Sequence, residues 1–394
     1  MISAFFIIAA TYFTIACGES SPPASIQGGQ NPTIALVNCF LIDGTGSDPI
    51  PNAVIIIEDT RIKSVGTAAT LAVPRGARVI DAGGMYILPG FMNTHVHGGY
   101  TANNLKEWAR SGVTTVRDLG NFSQTPGEAY AMRNTLLKDD HNSRLVAAGP
   151  IVTTVGGYGN YPVTSPADAE SKVNGLIDAG ADLIKIAIED DLQGRIWPML
   201  SMEEVSKIVQ TTHNRNVKVS AHVSRARQLE MAIEGGVDDV NHMIIDVLPD
   251  SLITRMIAVD MYWVPTLELW DGVSERHNLD WDVIAKDNLR RFVGAGGKVA
   301  VGTDYDGYVT SFELGMPMAE IKLMHEAGMT PMQIIVAGTK NASFVCDRDE
   351  QLGTIEPGKI ADIIIVPGNP LNNLDYLGDA RIVIHNGTRV EDDG

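Results

Sequence analysis

Short apolar runs recur along the chain in two textures. Residues 33–88 alternate β-rich runs with turn signals: Ile34 to Ile42 precedes Asp43-Gly44, and Ala53 to Glu58 precedes Asp59-Thr60. Runs of this length, bounded by turn residues, predict a small antiparallel sheet. The texture returns in Ile360 to Val366 before Pro367-Gly368, and in Ala380 to His385 before Asn386-Gly387. Residues 33–88 and 346–394 are therefore expected to form one composite β-sandwich domain.

Over residues 89–345 the pattern changes to β-branched runs alternating with helical segments that stop at glycine. Strands are predicted over 113–116, 144–148, 182–188, 217–223, 238–243, 262–267 and 298–303. Helices are predicted over 166–179 stopped by Gly180, over 201–214, over 225–234 stopped by Gly235-Gly236, and over 282–295 stopped by Gly296-Gly297. Such alternation argues for a parallel sheet, and about eight units over roughly 250 residues is the size of a (β/α)8 TIM barrel. The fold expectation is thus α/β, a TIM barrel carrying a small β domain built from both ends.

The beginning of the chain reads differently. Residues 1–16 hold no charged side chain and are mostly apolar, yet fall short of the ~20 residues of a membrane-spanning helix. They read as an export signal peptide, with residues 17–32, rich in Ser, Pro, Gly and Gln, as a flexible tether. Ala16-Cys17 resembles a bacterial lipoprotein signal, in which Cys17 becomes the lipidated first residue. Thr14 departs from that pattern, as does the lack of a preceding Lys or Arg. The localisation this implies is periplasmic or extracellular, with a lipid anchor as the sole membrane attachment.

Composition narrows the partners. With 30 Lys+Arg against 48 Asp+Glu, the net charge of −18 repels phosphate backbones and excludes nucleic acid. A small-molecule substrate is the expected partner, and a homo-oligomer is compatible with the sequence. Three cysteines are too few for a disulfide scaffold, so Cys39 and Cys346 are expected as buried thiols.

His95-Val96-His97 carries the strongest chemical signal, because residues i and i+2 of a strand share a face and bring both imidazoles into one site. Alone it is weak; about 0.2 such pairs arise by chance in a chain with nine histidines. Position strengthens it. Lys185, His222, His242 and Asp304 each fall at or near the carboxyl end of a predicted strand, the face on which barrel active sites are built. Their separations of 88, 37, 20 and 62 residues from His97 onward correspond to strands one, four, five, six and eight. His213 and His325 lie in predicted helices and His141 and His277 in polar segments, all four outside that pattern.

With these motifs in this order, and with Leu352-Gly-Thr-Ile-Glu-Pro-Gly-Lys-Ile-Ala-Asp362 leading back into the β domain, residues 33–390 resemble the amidohydrolase superfamily, in its imidazolonepropionase-like and prolidase-like branch. The resemblance implies a two-metal hydrolase. His95, His97 and Asp304 would hold one divalent ion, His222 and His242 a second, and Lys185, carboxylated by CO2, would bridge them together with a hydroxide. The expected ions are two Zn²⁺, which neutral imidazole and carboxylate suit. Asp304 would be the general base and acid in hydrolysis of an amide-type C–N bond of a dipeptide, acyl-amino acid or cyclic amide.

Two alternatives stay open. One is a mononuclear deaminase or cyclic-amide hydrolase in which Lys185 is structural. The other, of another class, is an inactive metal-holding lipoprotein that serves as a binding protein. Substrate identity is not carried over, because Ala187 to Asp191 and Val223 to Arg225 depart from the branch's usual residues. Glu189 or Asp190 could meet a basic substrate group, and Arg225 or Arg227 a carboxylate. The Gly-rich stretch 153–162 reads as an active-site loop, with Tyr100 and Tyr158 as further substrate contacts.

Overall fold

The computed structural model describes residues 33–121, 125–192, 194–305 and 312–390. The export signal, the tether and Cys17 lie outside the described residues. Among the described residues no helix is long and apolar enough to cross a membrane.

Five strands come first: β1 (Ile34–Leu41), β2 (Ile50–Glu58), β3 (Arg61–Thr67), β4 (Arg78–Asp81) and β5 (Tyr86–Pro89). A parallel series follows: β6 (Phe91–Val96), β7 (Val113–Asp118), β8 (Arg144–Ala147), β9 (Ile151–Thr154), β10 (Tyr161–Val163) and β11 (Leu183–Ala187). After the short hairpin of β12 (Asp191–Leu192) and β13 (Arg195–Ile196), the series resumes with β14 (Lys218–His222), β15 (Asp239–Asn241), β16 (Tyr262–Val264) and β17 (Lys298–Val299). Three strands close the chain: β18 (Ile363–Val366), β19 (Ile382–His385) and β20 (Thr388–Val390).

The first and last groups join in one eight-stranded sheet, ordered β20-β19-β18-β5-β1-β2-β3 with β4 beside β1. A sandwich would have divided these strands between two sheets; the pairing keeps them in one. Alternation explains how it is buried. Ile34, Leu36, Ile55 and Ile57 point into one apolar cluster, while Ala35, Val54 and Ile56 point into another on the opposite face. Cys39 and Cys346 are both buried and free.

The parallel strands fall in two sheets, β6-β7-β8 and β10-β9-β11-β14-β15-β16-β17. At the first seam the chain is one strand broken in two. β8 pairs with β7, the chain turns at Gly149 (φ 79°) and Pro150, and β9 pairs with β11. The second seam is similar. β17 pairs with β16, and the extended residues beyond it reach β6, where Thr94 N–H donates to Val301 O (2.8 Å) and Tyr305 bridges Val96 in parallel.

Helices cover the outside, and local sequence sets their limits. Helix Pro166–Ala179 begins where the Ser165 hydroxyl accepts from Asp168 N–H and ends on left-handed Gly180. Helix Met202–His213 is opened by a capping box between Ser201 and Glu204. The segment expected to be one loop over 153–162 has strand at both ends, in β9 and β10, because Tyr161, Pro162 and Val163 align in parallel with Val152, Thr153 and Thr154.

Candidate active site

Every residue of the predicted ligand set comes from the carboxyl ends of the parallel strands. His95 and His97 stand at the end of β6, Lys185 in β11, His222 as the last residue of β14, His242 just past β15, and Asp304 past β17. Asp304 Oδ1 lies 3.0 Å from His95 Nε2 and 2.9 Å from His97 Nε2. One ligand atom from each of the three lies within 4.8 Å of the others, the sole such group among the described residues. The imidazoles then continue as a chain, His95 to His242 at 4.8 Å between ring centroids and His242 to His222 at 4.5 Å.

Polar atoms at this centre lack partners. His95 Nδ1 and Nε2, Asp304 Oδ1 and Lys185 Nζ are all buried without a hydrogen bond. Asp304 and His95 are close enough for one but not aligned for it; lone pairs converging on a common point have that geometry. Buried polar groups are rarely left so. The donor set therefore fits a divalent cation, with hard carboxylate and borderline imidazole ligands.

Protonation suits that role. Burial pushes the His95 and His242 imidazoles well below their usual range, which keeps them neutral, the form a metal ligand requires. Burial alone would raise Asp304, but the imidazoles of His95, His242 and His97 around it hold it well below the carboxylate range, so it is ionised. Burial brings the Lys185 ammonium down to about 7, against the pull of Asp239. Near neutrality a large fraction of Lys185 is thus a neutral amine.

Supporting groups fix the ring orientations. His242 Nδ1 lies 2.9 Å from Thr266 Oγ1, and His97 Nδ1 lies 3.1 Å from the carbonyl of Gly120. Asp118, at the end of β7, accepts from Gly99 and Gly120 N–H; burial lifts it to about 6. Deeper among the strands Arg117 makes a two-pronged bond to Asp239, which also accepts from Ser220. Thr266, Asp118 and the Arg117–Asp239 pair escaped the sequence reading. Asp118 left a signal, as an acid ending a predicted strand; Thr266 left none.

The expected substrate residues divide. The Tyr158 ring lies 4.5 Å from His222, with Trp197 edge-on behind it at 5.4 Å. Tyr100 turns its hydroxyl into a buried, unpartnered position. Glu189 is buried: Oε1 accepts from Asp190 N–H, Asp191 N–H and Gln228 Nε2, and Oε2 sits 3.2 Å from His222 Nε2. Burial would raise its carboxyl, but the His222 contact and those N–H bonds hold it at about 2. The arginines are paired at the rim, Arg225 with Asp246 at 3.0 Å and Arg227 with Asp190 at 2.5 Å.

Comparison with known proteins agrees with this geometry. A model of the amidohydrolase family matches residues 86–390. Ochratoxinase of Aspergillus niger is 24% identical over an alignment spanning 88% of this chain and 83% of its own. Imidazolonepropionase of Clostridium tetani is also 24% identical, over 85% of this chain and 88% of its own. Among solved structures, a Xaa-Pro dipeptidase with methionine in its active site superposes with a TM-score of 0.81 at 25% identity, covering 91% of this chain and all of that one.

Proposed function

The chain belongs to the amidohydrolase family and is a hydrolase of carbon–nitrogen bonds; from that premise we propose that it opens an amide-type bond of a small molecule using two divalent ions, Zn²⁺ by preference. In this reading His95, His97 and Asp304 would hold one ion and His222 and His242 the other, and Lys185, as its carbamate, would supply an anionic oxygen ligand to both. The observation that carries it is the buried, unpartnered set of His95, Asp304 and Lys185. A neutral amine is the form that adds CO2, and its carbamate supplies an anionic oxygen donor where an ammonium would repel a cation. The fold in this reading is a closed eight-unit barrel over 89–345, supported by the strand that changes sheets at Gly149 and by the Val96–Tyr305 bridge. Residues 33–88 and 346–394 form the companion β domain, and the export signal with lipidation at Cys17 completes the proposal.

When bound, such ions lower the pKa of water from 15.7 to about 7 and polarise a carbonyl. The chain's own work is positional. Asp304, held ionised against His95 and His97, is poised to take the water's proton at its carboxylate and return it to the leaving nitrogen. Tyr158, braced by Trp197 over His222, offers an apolar face to one side of the substrate, and Tyr100, whose hydroxyl is buried, the exposed part of its ring. Arg225 at the rim is the candidate partner of a substrate carboxylate. The dipeptidase neighbour favours a dipeptide or acyl-amino acid among the amide classes.

A second reading has one specific observation in its favour: His95, His97 and Asp304 are the one donor triad already assembled among the described residues. One ion would then suffice, with Lys185 structural. Metal analysis separates the two. About two ions per chain, with activity lost in Lys185→Ala, is the expected result; about one ion and an active variant would leave the mononuclear reading standing. A panel of dipeptides, N-acyl amino acids and cyclic amides, with Asp304→Asn as control, assigns the substrate class.

A further inference from the structure

The ladder between β6 and β7 ends where Leu119 N–H donates to the carbonyl of Val96 (3.0 Å), and beyond that bond the two chains form a fork. Asp118, the last residue of β7, is fully buried, lies in register with Val96 and spans that fork. Its Oδ2 accepts from Gly99 N–H (3.0 Å) on the β6 side, and its Oδ1 from Gly120 N–H (3.1 Å) on the β7 side. One carboxylate thus serves two buried backbone donors that the ladder no longer pairs.

Both branches of the fork bear on His97. The carbonyl of Gly120 lies 3.1 Å from His97 Nδ1, which must then donate, so that Nε2 keeps its lone pair on the side of Asp304, 2.9 Å away. Gly120 also sets where the ring can lie, since a Cβ there would fall 3.0 Å from His97 Cε1 and Nδ1. On the other branch Gly99 follows His97 by two residues, and Asn104 Nδ2 holds the carbonyl of Gly98 between them (3.1 Å). Closing the fork fixes both the tautomer and the seat of the imidazole.

We propose that Asp118 is a positioning residue of the metal centre: by tying Gly99 to Gly120 it seats His97 and selects the tautomer that can bind a divalent ion through Nε2. The inference rests on the reading of His97 as a ligand, and in it Asp118 touches neither ion nor substrate. Two substitutions open the fork from different sides. Asp118→Asn keeps the shape but leaves one accepting oxygen for two N–H groups, so one branch is released. Gly120→Ala sets a methyl against the imidazole and Ile151 Cδ1, and because Gly120 lies outside the left-handed region the alanine strains no backbone.

Competition between the zinc-loaded protein and a colorimetric chelator tests the proposal. Asp118→Asn and Gly120→Ala should each hold an ion about 10- to 100-fold more weakly than wild type. Ser143→Ala is the control for a merely structural loss. Ser143 is buried and donates to the carbonyls of Leu105 and of Val113, at the opposite end of β7, so its loss should lower the urea midpoint and leave zinc retention unchanged. Wild-type retention in either variant that folds overturns the proposal, as does an equal loss of zinc in Ser143→Ala; if Asp118→Asn does not fold, Gly120→Ala decides. His97→Ala tells the two failures apart. Wild-type retention there removes His97 from the ligand set and the role of Asp118 with it, whereas loss in His97→Ala without loss in Asp118→Asn leaves the ligand in place and overturns the positioning role alone.

Discussion

His242 and Asp304 both adopt left-handed backbone, at φ 74° and 65°, and Thr266, which holds His242, does so at 48°. Non-glycine residues there cost of order 1–3 kcal/mol each, and the surrounding strands must hold them in place. The twist turns each side chain off its strand and toward the common centre. Glu189 illustrates how placement changes a residue's meaning. A carboxylate in the polar stretch Glu189-Asp190-Asp191 reads as a substrate contact, yet its buried oxygens are taken up by Gln228, two backbone N–H groups and His222. That supports orienting the imidazole as its task. Glu189→Gln should then weaken metal retention about 10- to 100-fold in a chelator competition, while leaving the kcat/KM ratio between cationic and neutral substrates unchanged. A collapse of that ratio with normal metal retention would restore the substrate role. His95 and His97 were legible because a strand's period of two is written in the sequence. Thr266 was not, because nothing in Pro265-Thr266-Leu267 marks a left-handed turn.

Element boundaries tell the same story one level up. Strands expected over 238–243 and 262–267 end at Asn241 and Val264, directly before and two residues before the left-handed positions His242 and Thr266. Apolar pattern continues through those residues, so periodicity alone overran them. The helices fared better because their ends are chemical. Helix Pro166–Ala179 matches its expected range, as Ser165 and Gly180 announce both caps. Glycine has a second use in the strand-like residues after β17. At Gly302 a Cβ would fall 2.4 Å from Val264 Cγ1 and 2.9 Å from His95 Cβ. The extended residues after β17 can lie against β6 and β16 only without a side chain there. Gly302→Ala should cost about 1–3 kcal/mol in denaturant titration and displace His95 enough to loosen metal binding. An unchanged midpoint with full metal content would show that the strands can part at no cost.

At the scale of the whole molecule, the charge of −18 resides mostly on the surface, yet several acids are buried with opposite effects on stability. Glu320 is fully buried, accepts from the N–H groups of Leu267 and Glu268, and is pushed by burial to about 8. Burial likewise lifts Glu268 to about 7. Groups raised above their unfolded values bind protons in the native state, so the stability they contribute is present below about pH 4.5 and lost as pH rises toward 8. Asp362 acts in the opposite sense: despite burial, Arg144 and His385 hold it far below the usual range, and its contribution is lost only in acid. Urea titrations should therefore show stability falling between pH 5 and pH 8, and Glu320→Gln should flatten that fall by on the order of 1 kcal/mol or more. Identical slopes in both proteins would exclude Glu320 as a source. The eight-stranded sheet has a consequence in time as well as space. Ile87 of β5 pairs with Ile365 of β18, so the early strand waits for a partner made 278 residues later. At 5–20 residues per second, synthesis leaves that edge open for roughly 15–60 s. Until then Ile87 and Leu88 offer a bare apolar edge to other chains, and crowded synthesis is where aggregation of this protein should begin.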